Sequence, residues 1–315
     1  MKKTLITSTA LVLIGGMAAA QVSFSGYGRF GLGYNEGRTG TDANGNSVDS
    51  ELALVSRFRL NIDGKAVTDG GVEFSARVRL QADDNPSLNE QNAATLNGAR
   101  FTSQYGGFRL DVGNVGGAID NLANYYGFEP GLEAFTGQYV GVDYGFLGYS
   151  STGSGANAIY ASYTAGGFTG GASYNPDEFN NNDSWDIGVS YAFNNFTGAI
   201  AYGENENDQS LTVLTLGADF DRFSGTLFIG DEDMGSGATN DGTVYGASLS
   251  FDVGAATSII ASYGSGEGDD DTEGYGVAFI HDLGGGVSLR GGIGQQAVKS
   301  ADSNVVGDLG ILFNF

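Results

Sequence analysis

Seven arginines stand on the polar side of short alternating segments: Arg29, Arg57, Arg59, Arg77, Arg79, Arg100 and Arg109. Each guanidinium is a permanent cation with five donors in a fixed fork. A long segment further on supplies the opposite sign in Asp120, Glu129, Glu133 and Asp143. Two such sets facing each other across a confined aqueous gap would make a transverse field. Such a field orders water and raises the barrier to apolar solutes. The signals for covalent catalysis are weak. The chain has no Cys, which excludes a disulfide scaffold and Cys-ligated zinc or iron–sulfur sites. Its one histidine, His281, lies on the apolar side of its segment beside the turn-like stretch Asp282–Gly286. That position reads as an interfacial residue rather than as the base of a hydrolase. The stretch Gly264–Gly268 has neither the lysine nor the strand-to-helix context of a phosphate loop.

The composition says what could hold such residues in place. There are 315 residues, with 14 Lys+Arg, 37 Asp+Glu and a formal net charge of −23. That acidity argues against nucleic acid as a partner, since phosphate binding needs a basic face. Hydrophobic residues make up 41% and charged residues only 16%, so the chain is not a disordered acidic polymer. Gly is high at 54, Pro is low at 3, and there are 20 Phe and 16 Tyr. High Gly without a collagen period, together with many Tyr and Phe, points to all-β structure.

Residues 1–20 read MKKTLITSTALVLIGGMAAA. Lys2 and Lys3, a short apolar run from Leu5 to Ile14 and the small residues Ala18 to Ala20 predict a Sec-type signal peptide cleaved before Gln21. The run is too short to span a bilayer as a helix. Loss of two lysines moves the formal charge from −23 to −25.

From Gln21 onward the pattern alternates with period two. Phe58, Leu60 and Ile62 interleave with Arg57, Arg59 and Asn61, and Phe74, Val78 and Leu80 with Arg77, Arg79 and Gln81. The predicted strands are 22–34, 51–62, 72–83, 98–105, 107–113, 157–164, 168–175, 184–194, 196–204, 210–220, 223–231, 242–252, 256–264, 272–282, 287–295 and 304–315. No strand contains proline, as a hydrogen-bonded ladder requires. Short turn-like connections alternate with longer acidic ones, and Tyr and Phe recur near strand ends. One-sided long loops and aromatic girdles are the signature of an outer-membrane barrel. The fold class expected is therefore all-β: a sixteen-stranded antiparallel transmembrane β-barrel over residues 21–315.

In such a barrel an arginine on the lipid face costs roughly 2–4 kcal/mol near the midplane. All seven must then face the lumen, on five neighbouring strands, as one basic wall. They either stand open or pair with carboxylates of other strands. The connection 113–156 is too long for an ordinary loop. It is expected to fold inward, with one or two helical turns over Ala118–Asn124, and to carry its carboxylates toward the wall. The remaining acids, such as Asp83-Asp84, Asp177-Glu178, Asp231–Asp233 and Asp269–Asp271, fall in other long connections. They read as a solvated rim; clustered oxygen ligands would suit Ca²⁺ or Mg²⁺, though none has EF-hand spacing and no cofactor is required.

GYGRFGLGY in the first strand, SRFRLNI in the second, VGNVGGAID at the start of the long loop and the DLGILFNF terminus together resemble the alphaproteobacterial general-diffusion porins. The resemblance covers the whole mature chain. It implies a homotrimer in the bacterial outer membrane, in contact with lipid and lipopolysaccharide, that passes small hydrophilic solutes and ions. It also implies that the third outside loop forms an eyelet, with Arg29, Arg57, Arg59, Arg77, Arg79 and Arg109 on the wall and Asp120, Glu129 and Glu133 on the loop. The competing expectations are a substrate-specific channel, an outer-membrane enzyme and an exported soluble β-rich adhesin.

Overall fold

The computed structural model describes residues 21–42, 44–177 and 182–315. The expected leader over residues 1–20 lies outside the described residues, as does Glu178.

Strands whose side chains alternate between apolar and polar bury neither face against a second layer, so they close on themselves. Sixteen antiparallel strands do this here. The first five are β1 Gln21–Asn35, β2 Leu52–Val67, β3 Glu73–Asn85, β4 Arg100–Tyr105 and β5 Phe108–Gly113. After the long loop come β6 Ala158–Ala165, β7 Phe168–Asn175, β8 Ser184–Phe193, β9 Phe196–Asn205, β10 Ser210–Phe220 and β11 Phe223–Asp233. The circuit ends with β12 Gly242–Asp252, β13 Thr257–Gly266, β14 Thr272–Gly284, β15 Val287–Val298 and β16 Asn304–Asn314. Each strand pairs with its chain neighbours, and β16 returns to β1 with Ile311 opposite Phe30. Phe315 completes the seam, exchanging both backbone hydrogen bonds with Gly26 and stacking its ring on Phe58 at 5.7 Å.

The tight turns use residues that tolerate left-handed backbone. Gly166 and Gly167, at φ 56° and 90°, join β6 to β7 in this way. Several strands run longer than expected. β2 reaches Val67 rather than residue 62, because Asp63, Gly64 and Lys65 continue the ladder opposite Arg77, Ala76 and Ser75. The Asp63-Gly64 pair has turn composition, but here its polar side faces water inside the barrel. The first long connection holds a small hairpin, Thr39–Thr41 with Ser47–Asp49, that the alternation does not reveal. In the second, residues 90–91 and 95–96 add short rungs to the outer half of β3.

Outward faces are apolar and exposed. Leu216, Leu227, Ile229 and Ile293 belong to a middle band. Tyr105, Tyr163, Phe168, Phe193 and Phe196 ring the end with the short turns, and Tyr174, Trp185, Tyr245, Tyr263 and Tyr275 ring the other. His281 lies on the same face as Val277, its Nδ1 2.8 Å from Thr257 Oγ1.

The buried core is not at the centre of the barrel. It lies between the inner wall and the long loop. Ile119, Leu122, Tyr125 and Tyr144 of the loop pack on Ala199, Ala201, Leu211, Val213, Phe228 and Val244 of β9 to β12. The loop is therefore folded inward. The helical turns expected over Ala118–Asn124 do not form, and hydrogen-bonded turns take their place. The wall and the loop itself take the bonds a helix would need: Thr215 of β10 donates to Ala123 O at 2.6 Å, and Gln138 Nε2 of the loop to Asn124 O at 2.6 Å.

Candidate functional site

Alternation places Arg57 and Arg59 of β2, Arg77 and Arg79 of β3, Arg100 of β4, Arg109 of β5 and Arg29 of β1 on the inner face. Register then sets the four on β2 and β3 beside cross-strand partners. Arg77 opposes Asp63 and binds it with two hydrogen bonds, of 2.6 and 3.0 Å. Arg57 bonds Asp83, which is a lumen residue of β3 rather than part of an outer loop. Arg109 grips Asp111, two residues along its own strand, at 2.6 and 3.1 Å. Arg29 meets Glu133 of the loop at 2.5 Å and also donates to Leu132 O at 2.9 Å. Four of the seven are thus neutralised on contact.

Arg59, Arg79 and Arg100 have only neutral partners among the described residues. Arg59 bonds Gln81 Oε1 at 2.5 Å and stands over the Tyr27 ring, 5.1 Å from its centre. Arg79 bonds Asn61 Oδ1 at 2.9 Å. Both reach the hydroxyl of Ser151, at 3.3 and 2.6 Å. Arg79 and Arg100 both lie over the ring of Tyr149, at 4.9 and 5.3 Å.

The loop carboxylates scatter. Asp120 accepts the Tyr126 hydroxyl and, at 3.3 Å, the Tyr149 amide, so it braces the loop internally. Glu129 is exposed and accepts from Tyr139 at 2.8 Å. Asp143 lies outermost, bonded at 3.0 Å by Asn240 of the β11–β12 connection. Only Glu133 touches an arginine, and it does so directly rather than across water. Burial pushes its carboxyl above the ordinary glutamate value, against the pull of Arg29. Burial, with the neighbouring Asp120 charge, likewise pushes the Tyr126 hydroxyl well above its ordinary value.

Three wall carboxylates hold the loop: Asp186 and Asp308, which the sequence did not single out, and Glu232, expected in the solvated rim but buried on β11. Asp186 of β8 accepts the Ala118 amide at 2.7 Å. Glu232 of β11 accepts the amides of Asp143 at 3.1 Å and Tyr144 at 2.7 Å. Asp308 of β16 accepts three consecutive amides, Leu132 at 2.9 Å, Glu133 at 2.7 Å and Ala134 at 2.8 Å. Gln138 adds a fourth point, with Thr226 donating to its Oε1 at 2.6 Å. Near the loop's exit, Asn97 donates to Ser150 O at 2.6 Å and Asn114 to the same carbonyl at 2.9 Å. The signal available beforehand was inner-face parity: Asp186 sits between Trp185 and Ile187, and Asp308 beside Leu309. Among the described residues no three acids converge as a metal site.

A barrel closed on itself, apolar outside, charged inside and narrowed by its own third long loop has the anatomy of a membrane pore. A family model described as Gram-negative porin matches residues 7–301. The chain belongs to that family. It is 32% identical over 321 residues to a porin of Fuscovulum blasticum, covering 94% of this chain and 100% of that one. It is 25% identical over 327 residues to a porin of Rhodobacter capsulatus, with the same coverage. Among solved structures it is similar to a triple mutant of the Rhodopseudomonas blastica porin, with a TM-score of 0.78 at 25% identity, over 93% of this chain and 100% of that one. This porin is a multi-pass β-barrel of the outer membrane, a water-filled channel for passive passage of small hydrophilic solutes and ions. Family membership implies a channel.

Proposed function

We propose that the passage is narrowest between the inward loop and the arginine face of β1 to β5, and that this eyelet sorts solutes by size and charge. The observation that carries it is the placement of the loop. Its amides are tied to β8, β11 and β16, while Arg59, Arg79 and Arg100 stand on β2, β3 and β4. In this reading Arg29, Arg57, Arg77 and Arg109 shape the wall as ion pairs, and the three others give it positive field. Asp120, Glu129 and Glu133 belong to the loop side, and Asp143 to the approach above it.

We further propose that the chain works as a homotrimer among outer-membrane lipid and lipopolysaccharide. The motivating feature is its unbroken exposed apolar belt. Residues 1–20 are proposed as the export leader. Calcium association is proposed only as a loose contact of the acidic rim, for which chelator-independent conductance would be contrary evidence. The chain carries out no catalysis in this reading, since its one histidine faces outward.

Purified protein in a planar bilayer provides the test. Stepwise conductance, with flux of neutral sugars falling smoothly with size, is expected. Absence of steps removes the pore, and saturable flux of a single sugar removes general diffusion.

A further inference from the structure

Three like charges held together without an acid are costly unless something else balances them. Arg59, Arg79 and Arg100 come from three consecutive strands and are drawn together by two loop side chains. Ser151 accepts from the first two, and Tyr149 lies under the last two. Every group they touch is neutral: Gln81, Asn61, Ser151, Tyr149 and Tyr27. The nearby acids are already engaged. Asp83 is taken by Arg57 and Gln81, and Asp111 by Arg109 and Thr102. Arg100 makes no side-chain hydrogen bond among the described residues, and its Nε is buried without a partner. Arg59 Nη1, Arg79 Nη2 and the two Nη groups of Arg100 make no hydrogen bond among the described residues and are left for an incoming acceptor. Their planar forks match a phosphoryl group's paired oxygens better than a spherical halide.

We infer that Arg59, Arg79 and Arg100, arranged on Ser151 and Tyr149, form a binding subsite in the channel for phosphate and for solutes bearing a phosphoryl group. This rests on the channel reading above. A phosphoryl dianion entering the gap accepts from the free donors of the three guanidiniums and offsets their mutual repulsion. The Ser151 hydroxyl hydrogen is available as a further donor. The subsite lies on the inner face, so its ligand comes from the aqueous phase and not from lipid headgroups. It is held in place from behind, because Asn97 fixes the segment through Tyr149 OH at 2.9 Å and Ser150 O.

The experiment is chloride current through the full-length protein in planar bilayers, at constant ionic strength, as inorganic phosphate is added. Saturable inhibition is expected, on the order of millimolar for half effect. Arg79→Gln and Arg59→Gln should each raise that concentration roughly tenfold, as expected for loss of a charge-assisted bond. Arg79→Lys keeps the charge but loses the fork, and should also weaken inhibition. Arg222→Gln, at a short turn far from the lumen, should leave it unchanged. Equal inhibition of the unmodified and Arg79→Lys proteins, or phosphate current rising linearly with concentration in the unmodified protein, would overturn the subsite. Chloride current indifferent to phosphate would do the same and leave the pore standing. Absence of any stepwise conductance would instead sink the channel reading.

Discussion

Glu133 carries two conflicting influences on one carboxyl. Burial raises its pKa, and the 2.5 Å contact with Arg29 works against that rise. Protonation removes a negative charge and leaves Arg29 uncompensated. As pH falls, anion preference should therefore grow, starting above the ordinary glutamate range of about 4.3. Reversal potentials across a potassium chloride gradient measure this directly. Glu133→Gln should show that anion preference at neutral pH and lose this step of the titration. If the mutant and unmodified proteins titrate alike, Glu133 is not in the ion path. The arginines themselves were legible in the sequence, because lipid forbids them on one face and alternation fixes the other. Their partners were not. Asp63 had the composition of a turn and Asp83 that of a loop, and only cross-strand register brings them to Arg77 and Arg57. Which guanidiniums remain unpaired therefore depends on register, which no single strand encodes.

The long loop is held by its main chain more than by its side chains. Asp308 alone accepts three amides, and hydrogen bonds to a charged group contribute about 1.5–3 kcal/mol each. Asp308→Ala should free the segment around Glu133 and give larger, noisier single-channel currents. Currents as quiet as those of the unmodified protein would show that the remaining ties suffice. The opposite side of the bed is glycine. A Cβ on Gly246 or Gly264 would strike the backbone carbonyl of Gln138. Gly246→Ala should push the loop toward the wall of arginines and lower conductance, with the barrel still folded by its heat-dependent gel mobility. The inward course of the loop was legible from its length. Its lack of helix was not, because the competing bonds come from Thr215 and Gln138, 92 and 14 residues away. The apolar inner residues Leu211, Val213 and Phe228 were hidden too, since β10 and β11 carry apolar side chains on both faces once the loop covers one of them.

For the whole molecule, the decisive quantity is which solvent each face meets. Leu216 is 51% exposed on the outward face near the middle of β10, so it faces lipid. Leu216→Arg should cost roughly 2–4 kcal/mol of folding free energy in bilayers. Urea-dependent folding into vesicles measures this, and a loss below about 1 kcal/mol would place that position away from the midplane. The barrel was legible almost strand by strand, because one periodicity governs it throughout. The ends of strands were less so, since water inside lets polar residues continue a ladder that their composition would end. High glycine has a second role that composition alone did not disclose: on β14 and β15, Gly276, Gly292 and Gly294 leave the hollow that the Phe135 ring fills.

The ties of Asp186, Glu232 and Asp308 have a consequence for how the passage can change over generations. They grasp peptide N–H groups, which every residue but proline provides. Substitutions at Glu133, Ala134 or Asp143 can therefore alter what lines the route without casting off its moorings, whereas the side chains of Ala118, Leu132 and Tyr144 are buried and must still fit. The barrel serves as a fixed chassis and the loop as an exchangeable insert, with proline as the substitution these six positions exclude.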